Sequence, residues 1–212
     1  APTVGEVQVQ TLFSAISPGT ELLLYRGQMP SDIPLDESIP SLQRSLKYPL
    51  KYGYSTVGQV IGVGPGQPSF NRGDLVFSFH PHESSFVCDT NELIKVPSGI
   101  PPEDAVFLAN LETAINLIMD GQPSIGEQVA ILGQGIVGLM LTALISRIPI
   151  ASLVTVDRHP NRRKMSVDLG ATATFEPNSH NHISEALQGN GEYQGADLCF
   201  EVSGVPATLE SA

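Results

Sequence analysis

Three glycines near the middle of the sequence have a spacing that suits phosphate binding. Gly133, Gly135 and Gly138 follow an apolar run at 128–132 and open a predicted apolar helix at 136–147. The first glycine of such a turn permits a tight bend, the second lets the backbone approach a pyrophosphate, and the third allows close helix–strand packing. Free N–H groups at the helix start also favour an anion. The pattern predicts a dinucleotide site formed by Gly133, Gln134, Gly135, Ile136 and Val137.

An acidic residue ends the next predicted strand, 153–156, and indicates which dinucleotide is bound. Asp157 lies 19 residues after Gly138 (157 − 138), where a carboxylate accepts hydrogen bonds from the adenosine ribose hydroxyls. The same charge would repel a 2′-phosphate, so we expect NAD rather than NADP. Arg158 leaves NADP as an open alternative, because an arginine at this position can pair with a 2′-phosphate.

Two different patterns of elements surround these residues. Strands and helices alternate from about residue 102 onward, which predicts a parallel sheet of the Rossmann type. The earlier part has short β-branched runs separated by Gly and Pro, which is typical of a small barrel or sandwich. The sequence thus predicts a mixed fold with one domain at 1–117 and a second at 118–212. Strands are predicted at 7–14, 55–63, 74–79, 86–88, 93–96, 128–132, 153–156, 172–175 and 198–202, and helices near 102, at 136–147, 160–169, 183–187 and from Pro206. Residues 30–49 are predicted to form a surface loop.

Composition excludes several classes of function. The 212-residue chain has a formal net charge of −11, so it offers no basic face to nucleic acid or to an anionic membrane. Its two cysteines are too few for a disulfide framework or a four-thiolate zinc site. No apolar run approaches the roughly 20 residues that span a bilayer, and the first residues have no signal-peptide pattern. We therefore expect a cytoplasmic protein.

Short motifs follow one another along the whole chain in a recognisable order. They are Gly19-Thr20-Glu21 with Leu24-Tyr25-Arg26-Gly27, Tyr48-Pro49, Gly53-Tyr54-Ser55-Thr56-Val57-Gly58, Gly73-Asp74-Leu75-Val76, Leu93-Ile94-Lys95-Val96-Pro97, the glycine turn and Asp197-Leu198-Cys199-Phe200-Glu201-Val202-Ser203-Gly204. This series resembles the medium-chain dehydrogenase/reductase superfamily, the zinc alcohol dehydrogenases and quinone oxidoreductases. The resemblance implies a GroES-like β-barrel catalytic domain and a Rossmann NAD(P)-binding domain, with the active site between them. It also implies that the sequence is part of a longer chain, with both domains incomplete.

The departures from that family concern its catalytic zinc. Where zinc-dependent members have their three ligands, this sequence has Pro18, Tyr54 followed by Ser55, and Ala109. None of these supplies the thiolate or imidazole that zinc prefers. The four-cysteine structural zinc lobe is absent as well, so no zinc is expected.

The resemblance also assigns roles to residues outside the glycine turn. Thr20 matches the hydroxyl that relays the substrate proton, and Thr113 matches a residue beside the nicotinamide. His80 matches a position that points into the substrate pocket. The strand end that borders the cofactor matches Val202, Ser203 and Gly204.

Without zinc, the substrate oxygen needs another proton donor or electrophile, and the candidates are His80, Tyr54 and Glu112. Each has a structural alternative. His80 can belong to a surface turn or, with His82 and Glu83, to a weak metal-ligand set. Tyr54 can be a packing residue, and Glu112 can be a buried acid near the cofactor or a helix cap.

Two functions follow as hypotheses. The first is a zinc-independent NAD(P)-dependent oxidoreductase that acts on a small carbonyl, alcohol or activated alkene. The second is a dinucleotide-binding sensor or structural protein that has lost the zinc chemistry. The expected partners are a small-molecule substrate and, in the intact protein, a second copy of the chain.

Overall fold

The computed structural model of the chain describes residues 1–29, 48–66, 69–187, 195–205 and 208. These form two compact units, Ala1–Ala109 and Asn110–Ala212. The predicted loop at 30–49 falls almost wholly outside the described residues, and so does most of the predicted helix from Pro206. The domain boundary predicted from the sequence, at 117/118, stays a prediction.

The first unit is built on a five-stranded antiparallel sheet. Its strands are β1 (Glu6–Ser14), β2 (Thr56–Val63), β3 (Leu75–Ser78), β4 (Ser85–Asp89) and β5 (Ile94–Lys95), in the spatial order β4-β1-β2-β3-β5. Two helices accompany them, α1 (Thr20–Tyr25) and α2 (Pro102–Ala105). Alternate residues of β1 are buried at its start, as expected for a strand with one face on the core. This is the GroES-like part of the predicted fold.

Two apolar clusters hold the first unit together. One is formed mainly by side chains of β1 to β4 and comprises Val7, Val9, Val60, Phe70, Val76, Phe86, Cys88 and Leu93. The other joins β2 and β3 to the segment after α2 and comprises Val57, Phe77, Val106 and Ala109. Burial raises the pKa of the Cys88 thiol to about 12, so this cysteine is a core residue and not a nucleophile.

The second unit is a parallel α/β structure. Its strands are β6 (Gln128–Leu132), β7 (Ser152–Val156), β8 (Ala173–Phe175) and β9 (Leu198–Glu201), in the order β8-β7-β6-β9. Its helices are α3 (Leu108–Gly121), which begins just before the division between the units, α4 (Ile136–Ile145), α5 (Pro160–Asp168) and α6 (His180–Ala186). The core comprises Ala114, Val129, Ile131, Leu141, Ile145, Leu153 and Phe200. The order of β7, β6 and β9 places the start of α4 at the edge where all three strands end.

The predicted strands are confirmed, and no strand end differs from its predicted position by more than one residue. Helix α1 was not predicted, because Pro18 and Gly19 precede it and its six residues are too few to show a helical period. None of the described helices is long and apolar enough to cross a bilayer.

Candidate functional site

The glycine turn joins β6 to α4 and is shaped by two close approaches of the backbone. Gly133 has φ +99°, and a Cβ there would lie 2.6 Å from Ser203 Cα and from Ser203 N. A Cβ on Gly138 would overlap the carbonyl oxygen of Gly133. Both positions therefore require glycine for internal reasons, one for the strand end at Val202–Ser203 and one for helix packing.

Gly135 differs from the other two glycines of the turn. Its φ of −71° and ψ of −169° are available to any residue, and a Cβ there would meet nothing within 4 Å. Gly135 is also the N-cap of α4, without a side-chain capping bond. No contact with the described residues excludes a side chain at this position, whereas an approaching ligand would.

Asp157 lies at the end of β7, beside the turn, and is 7% exposed. Its Oδ2 accepts a hydrogen bond from the backbone N–H of Gln134 at 2.8 Å, and its Oδ1 accepts one from the N–H of His159 at 2.7 Å. A carboxylate has about four acceptor positions, so about two remain for ribose hydroxyls. The same carboxylate thus fixes the turn and keeps capacity for a ligand.

The side chains of the turn are mostly structural. Gln134 is fully buried, and its Oε1 accepts a hydrogen bond from the hydroxyl of Thr142 at 2.9 Å. Val137 packs against the core of the second unit. The predicted contacts of Gln134, Ile136 and Val137 with a cofactor are therefore limited to their backbone atoms or, for Ile136, a half-buried side chain.

Basic side chains surround Asp157. Arg163 donates to the Asp157 carbonyl at 2.8 Å and pairs with Glu176 at 2.8 Å, and Arg162 Nη1 lies 3.8 Å from Asp157 Oδ2. Arg158 is exposed and donates to the ring of His159 at 3.1 Å. Among the described residues, Arg162 and Arg163 have carboxylate partners and Arg158 has none, so Arg158 is the one best placed to meet an anion.

In the first unit, His80 lies immediately after β3 and is stacked on Phe86. The ring centroids are 3.9 Å apart with an interplanar angle of 12°. Its Nδ1 is buried without a hydrogen-bond partner among the described residues, and its Nε2 is 4.0 Å from Glu83 Oε2. Burial lowers the pKa of His80, partly opposed by Glu83 and Glu92. His80 is therefore held as a neutral imidazole on an aromatic ring and is not the solvated residue of a surface turn.

Tyr54 and Thr20 lie on two other segments of the first unit. Tyr54 is half-buried against the cluster around Val57 and Phe77, and its ring meets that of Tyr52 edge-on at 6.1 Å. Thr20 is the first residue of α1 and is half-buried. The packing role considered for Tyr54 is present, and its phenol remains a candidate donor.

Glu112 and Thr113 lie on α3 in the second unit and are exposed. Glu112 is the fifth residue of that helix, so it is neither the buried acid nor the cap considered from the sequence. A carboxylate on the outer face of an amphipathic helix avoids the cost of desolvation, which explains the difference. The roles assigned to both residues stay predictions.

By the resemblance, Pro18, Tyr54 with Ser55, and Ala109 stand where zinc-dependent members have their ligands. Ser55 is 3% exposed and its hydroxyl donates to the Val106 carbonyl. Ala109 is buried in the same cluster as Val106. Within the described part of the chain, no group of three or more His, Cys, Asp or Glu side chains could hold a metal ion. The donor set at these positions does not fit zinc.

Sequence reasoning missed a group of hydrogen-bonded side chains in the first unit, formed by His82, Glu21 and Ser14 and called the His82 cluster below. His82 Nε2 lies 2.7 Å from Glu21 Oε2, and His82 Nδ1 hydrogen-bonds to the Ser14 hydroxyl. Glu21 and Ser14 are 61 and 68 residues away in sequence, so no local pattern could have shown the contact.

Comparison with known proteins gives the same fold. The chain is 23% identical over 235 residues to (R,R)-butanediol dehydrogenase from Bacillus subtilis (strain 168). The alignment covers 98% of this chain and 66% of that protein. A zinc-binding dehydrogenase, so named, from Sinorhizobium meliloti 1021 bound to NADP superposes with a TM-score of 0.79, at 19% identity, over 99% of this chain and 66% of that one. An alcohol dehydrogenase, so named, from E. coli CFT073 complexed with NADH gives a TM-score of 0.77, at 19% identity, over 100% and 66%. No protein-family profile matches the chain.

These similarities identify the fold. A GroES-like antiparallel unit followed by a Rossmann unit is the fold of the medium-chain dehydrogenases, and it is the fold of this chain. In sequence, the chain is similar along nearly its whole length to curated dehydrogenases. The chain spans just under two thirds of the length of the first of these curated relatives.

Proposed function

We propose that this chain is the dinucleotide-binding and substrate-binding part of an NAD(P)-dependent oxidoreductase that needs no zinc. The observation that carries the proposal is the open space at Gly135, at the start of α4 and beside the turn that Asp157 holds. A pyrophosphate would lie against Gly135 and accept hydrogen bonds from the first N–H groups of α4, which have no partner within the helix. When bound, the nicotinamide accepts or donates a hydride.

NAD is the proposed cofactor, in preference to NADP. The remaining acceptor positions of Asp157 suit the two ribose hydroxyls, and a 2′-phosphate would meet this buried carboxylate. Exposed Arg158 is the feature that favours NADP. The two solved relatives described above carry one cofactor each, NADP in one and NADH in the other.

Zinc independence is proposed from the donor chemistry of this chain. Pro18 has no donor atom, the Ser55 hydroxyl is engaged by a backbone carbonyl, and Ala109 ends in a methyl group. A substrate oxygen must then be stabilised by hydrogen-bond donors of the protein. We assign this role to Thr20, Tyr54 and His80, with Glu112 as a further candidate from the second unit.

His80 is suited to donate a hydrogen bond and not to act as a cation. Because burial lowers its pKa, the imidazole stays neutral near pH 7, where one ring nitrogen donates and the other accepts. Its Nδ1 has no hydrogen-bond partner among the described residues but is closed off from solvent, so we assign the donor role toward a substrate to Nε2. Thr20 is proposed to pass on the proton that an alcohol loses while its carbon gives up the hydride.

The test is a binding titration followed by a turnover assay. The purified protein is expected to bind NADH more tightly than NADPH, and the Arg158→Ala variant is expected to leave NADH affinity unchanged. Turnover of a panel of small alcohols, diols, carbonyls and enones is then measured with and without a zinc chelator. Tighter NADPH binding would contradict the choice of cofactor, and chelator-sensitive turnover would contradict zinc independence. NADH binding without turnover of any compound would favour a dinucleotide-binding sensor.

A further inference from the structure

His82 lies at the junction of three segments of the first unit. The segments are the end of β1, the start of α1 and the turn 52–55 that precedes β2. The Ser14 hydroxyl bonds His82 Nδ1, the Glu21 carboxylate bonds His82 Nε2 at 2.7 Å, and the backbone N–H of His82 donates to the Tyr52 carbonyl at 3.1 Å. One side chain and its own backbone therefore tie α1 to the end of β1 and to the turn before β2, two segments that the pairing of β1 with β2 already brings together.

The contact with the turn 52–55 also depends on close packing. Gly53 has φ +137°, and a Cβ there would lie 2.8 Å from His82 N and 2.9 Å from both Cδ2 and Nε2 of the ring. The imidazole thus lies directly against the backbone of Gly53. The residue that follows Gly53 is Tyr54, one of the proposed donors to the substrate.

Among the described residues, few contacts anchor helix α1 apart from the hydrogen bond that the Tyr48 hydroxyl donates to the Leu24 carbonyl. The helix has six residues, its N-cap Gly19 makes no side-chain capping bond, and Leu24 is its one buried residue. Helices this short are marginal unless tertiary contacts stabilise them. Glu21 supplies one such contact, since its Oε1 accepts the N–H of Ser17 at 2.8 Å while its Oε2 meets His82. The residue that precedes Glu21 is Thr20, the proposed proton relay.

We propose that His82 is a positioning residue that holds Thr20 and Tyr54 in place, through Glu21 on one side and Gly53 on the other. The proposal rests on the proposed function, because only an active site gives Thr20 and Tyr54 a role to be positioned for. His82 side-chain exposure of 31% and Glu21 exposure of 11% place the pair at the edge of the interior, where a carboxylate–imidazole bond is shielded from water.

Two substitutions separate the two bonds of the ring. In His82→Gln the terminal amide reaches about as far as Nε2 and can still bond Glu21, whereas in His82→Asn it reaches about as far as Nδ1 and can still bond Ser14. Gln59→Ala is the matched control, since Gln59 is an exposed residue of β2 in the same unit whose side chain bonds only the Gly73 carbonyl.

The first measurement is amide hydrogen exchange of the full chain, which needs neither cofactor nor substrate. We expect His82→Asn to speed exchange in α1 by about tenfold, equivalent to about 1.4 kcal/mol of local opening. His82→Gln and Gln59→Ala should stay close to the unaltered protein, and β6 to β9 should not change. Equal exchange in α1 for all variants, or equal losses for the Asn and Gln variants, would overturn the proposal.

The second measurement is turnover with a substrate that the unaltered protein accepts. His82→Asn should lower kcat by about tenfold or more, because small displacements of reacting groups reduce rates steeply, while the Kd for NADH is unchanged and His82→Gln keeps most of the rate. A loss of NADH affinity in proportion to kcat would indicate a merely structural role and overturn the proposal. If the unaltered protein shows no turnover, the proposed function fails, and the exchange experiment still decides whether His82 anchors α1.

Discussion

The glycine turn and the His82 cluster are two regions of one chain that reach their shapes in different ways. The conformation of the turn is determined mainly by its backbone. Gly133 and Gly138 allow close approaches, and Asp157 accepts a hydrogen bond from the N–H of Gln134. In the His82 cluster, side chains from Ser14 and Glu21 meet an imidazole more than 60 residues away. A site made by backbone and glycine spacing can be recognised in a sequence. One made by side chains from distant segments cannot.

The largest effect should come from Gly138→Ala, which tests whether the turn is rigid. Its Cβ would overlap the Gly133 carbonyl, and since neither the helix nor the turn can shift alone, we expect a loss of about 3 kcal/mol or more of unfolding free energy. Thermal or urea unfolding measures it. Gly135→Ala on the same turn is the control and should unfold like the unaltered protein, because its Cβ meets open space. Equal stability of both variants would mean that the turn is not as tightly packed as described.

A smaller effect is expected for Asp157→Asn, which keeps the shape of the side chain but removes its charge. The amide would oppose one of the N–H groups from Gln134 and His159, and a ribose hydroxyl would lose a charged acceptor. Hydrogen bonds to charged groups contribute roughly 1.5–3 kcal/mol, so NADH affinity should fall about tenfold or more. Asp168→Asn, in an exposed pair with Lys164, is the control and should bind NADH normally. NADH affinity that survives Asp157→Asn would remove Asp157 from the site.

The smallest effect is expected for the pH dependence of stability that is linked to His80, a half-buried side chain of the first unit. Burial depresses its folded-state pKa below the ordinary 6.5, so the unfolded chain binds the proton more readily. Stability linked to His80 is therefore present above about pH 6.5 and is lost as the pH falls through the folded-state pKa, by at most about 1.4 kcal/mol per pH unit for one proton.

Urea unfolding between pH 8 and pH 5 measures this loss for His80. His80→Phe, which can keep the stack on Phe86, should lose less stability on acidification than the unaltered protein. His159→Gln changes an exposed histidine in the second unit and should follow the unaltered curve. If His80→Phe also follows that curve, His80 is not held in its neutral form.

The parts of the fold that could be predicted from the sequence are those that local patterns determine, and the parts that could not depend on contacts between distant segments. The parallel unit could be predicted because its strands are continuous apolar runs, and because Gly133, Gly135 and Asp157 mark the ends of elements. The antiparallel strands could be predicted from their alternation and from Gly and Pro between them. Helix α1 could not, since Pro18 and Gly19 precede it and its six residues are too few to show a helical period.

For the candidate site, residue type alone gave incomplete answers. His80 was recognised as a candidate. Its stacking on Phe86 and its buried Nδ1 could not be predicted, because they depend on where the fold places β4, which carries Phe86. His82 was considered as part of a surface turn or as a weak metal ligand, and neither interpretation identified its partners Glu21 and Ser14. Glu112 was considered as a buried acid and is exposed, because a helix position does not reveal which side faces the core until the neighbouring elements are placed.

The central claim is that the space at Gly135 is kept for a dinucleotide. It is tested most directly by the Kd for NADH of the Gly135→Ala variant, measured beside its unfolding midpoint. The account predicts an unchanged midpoint with NADH affinity reduced by about tenfold or more, because a methyl group would occupy the place of the pyrophosphate. An unchanged midpoint with unchanged NADH affinity would contradict it.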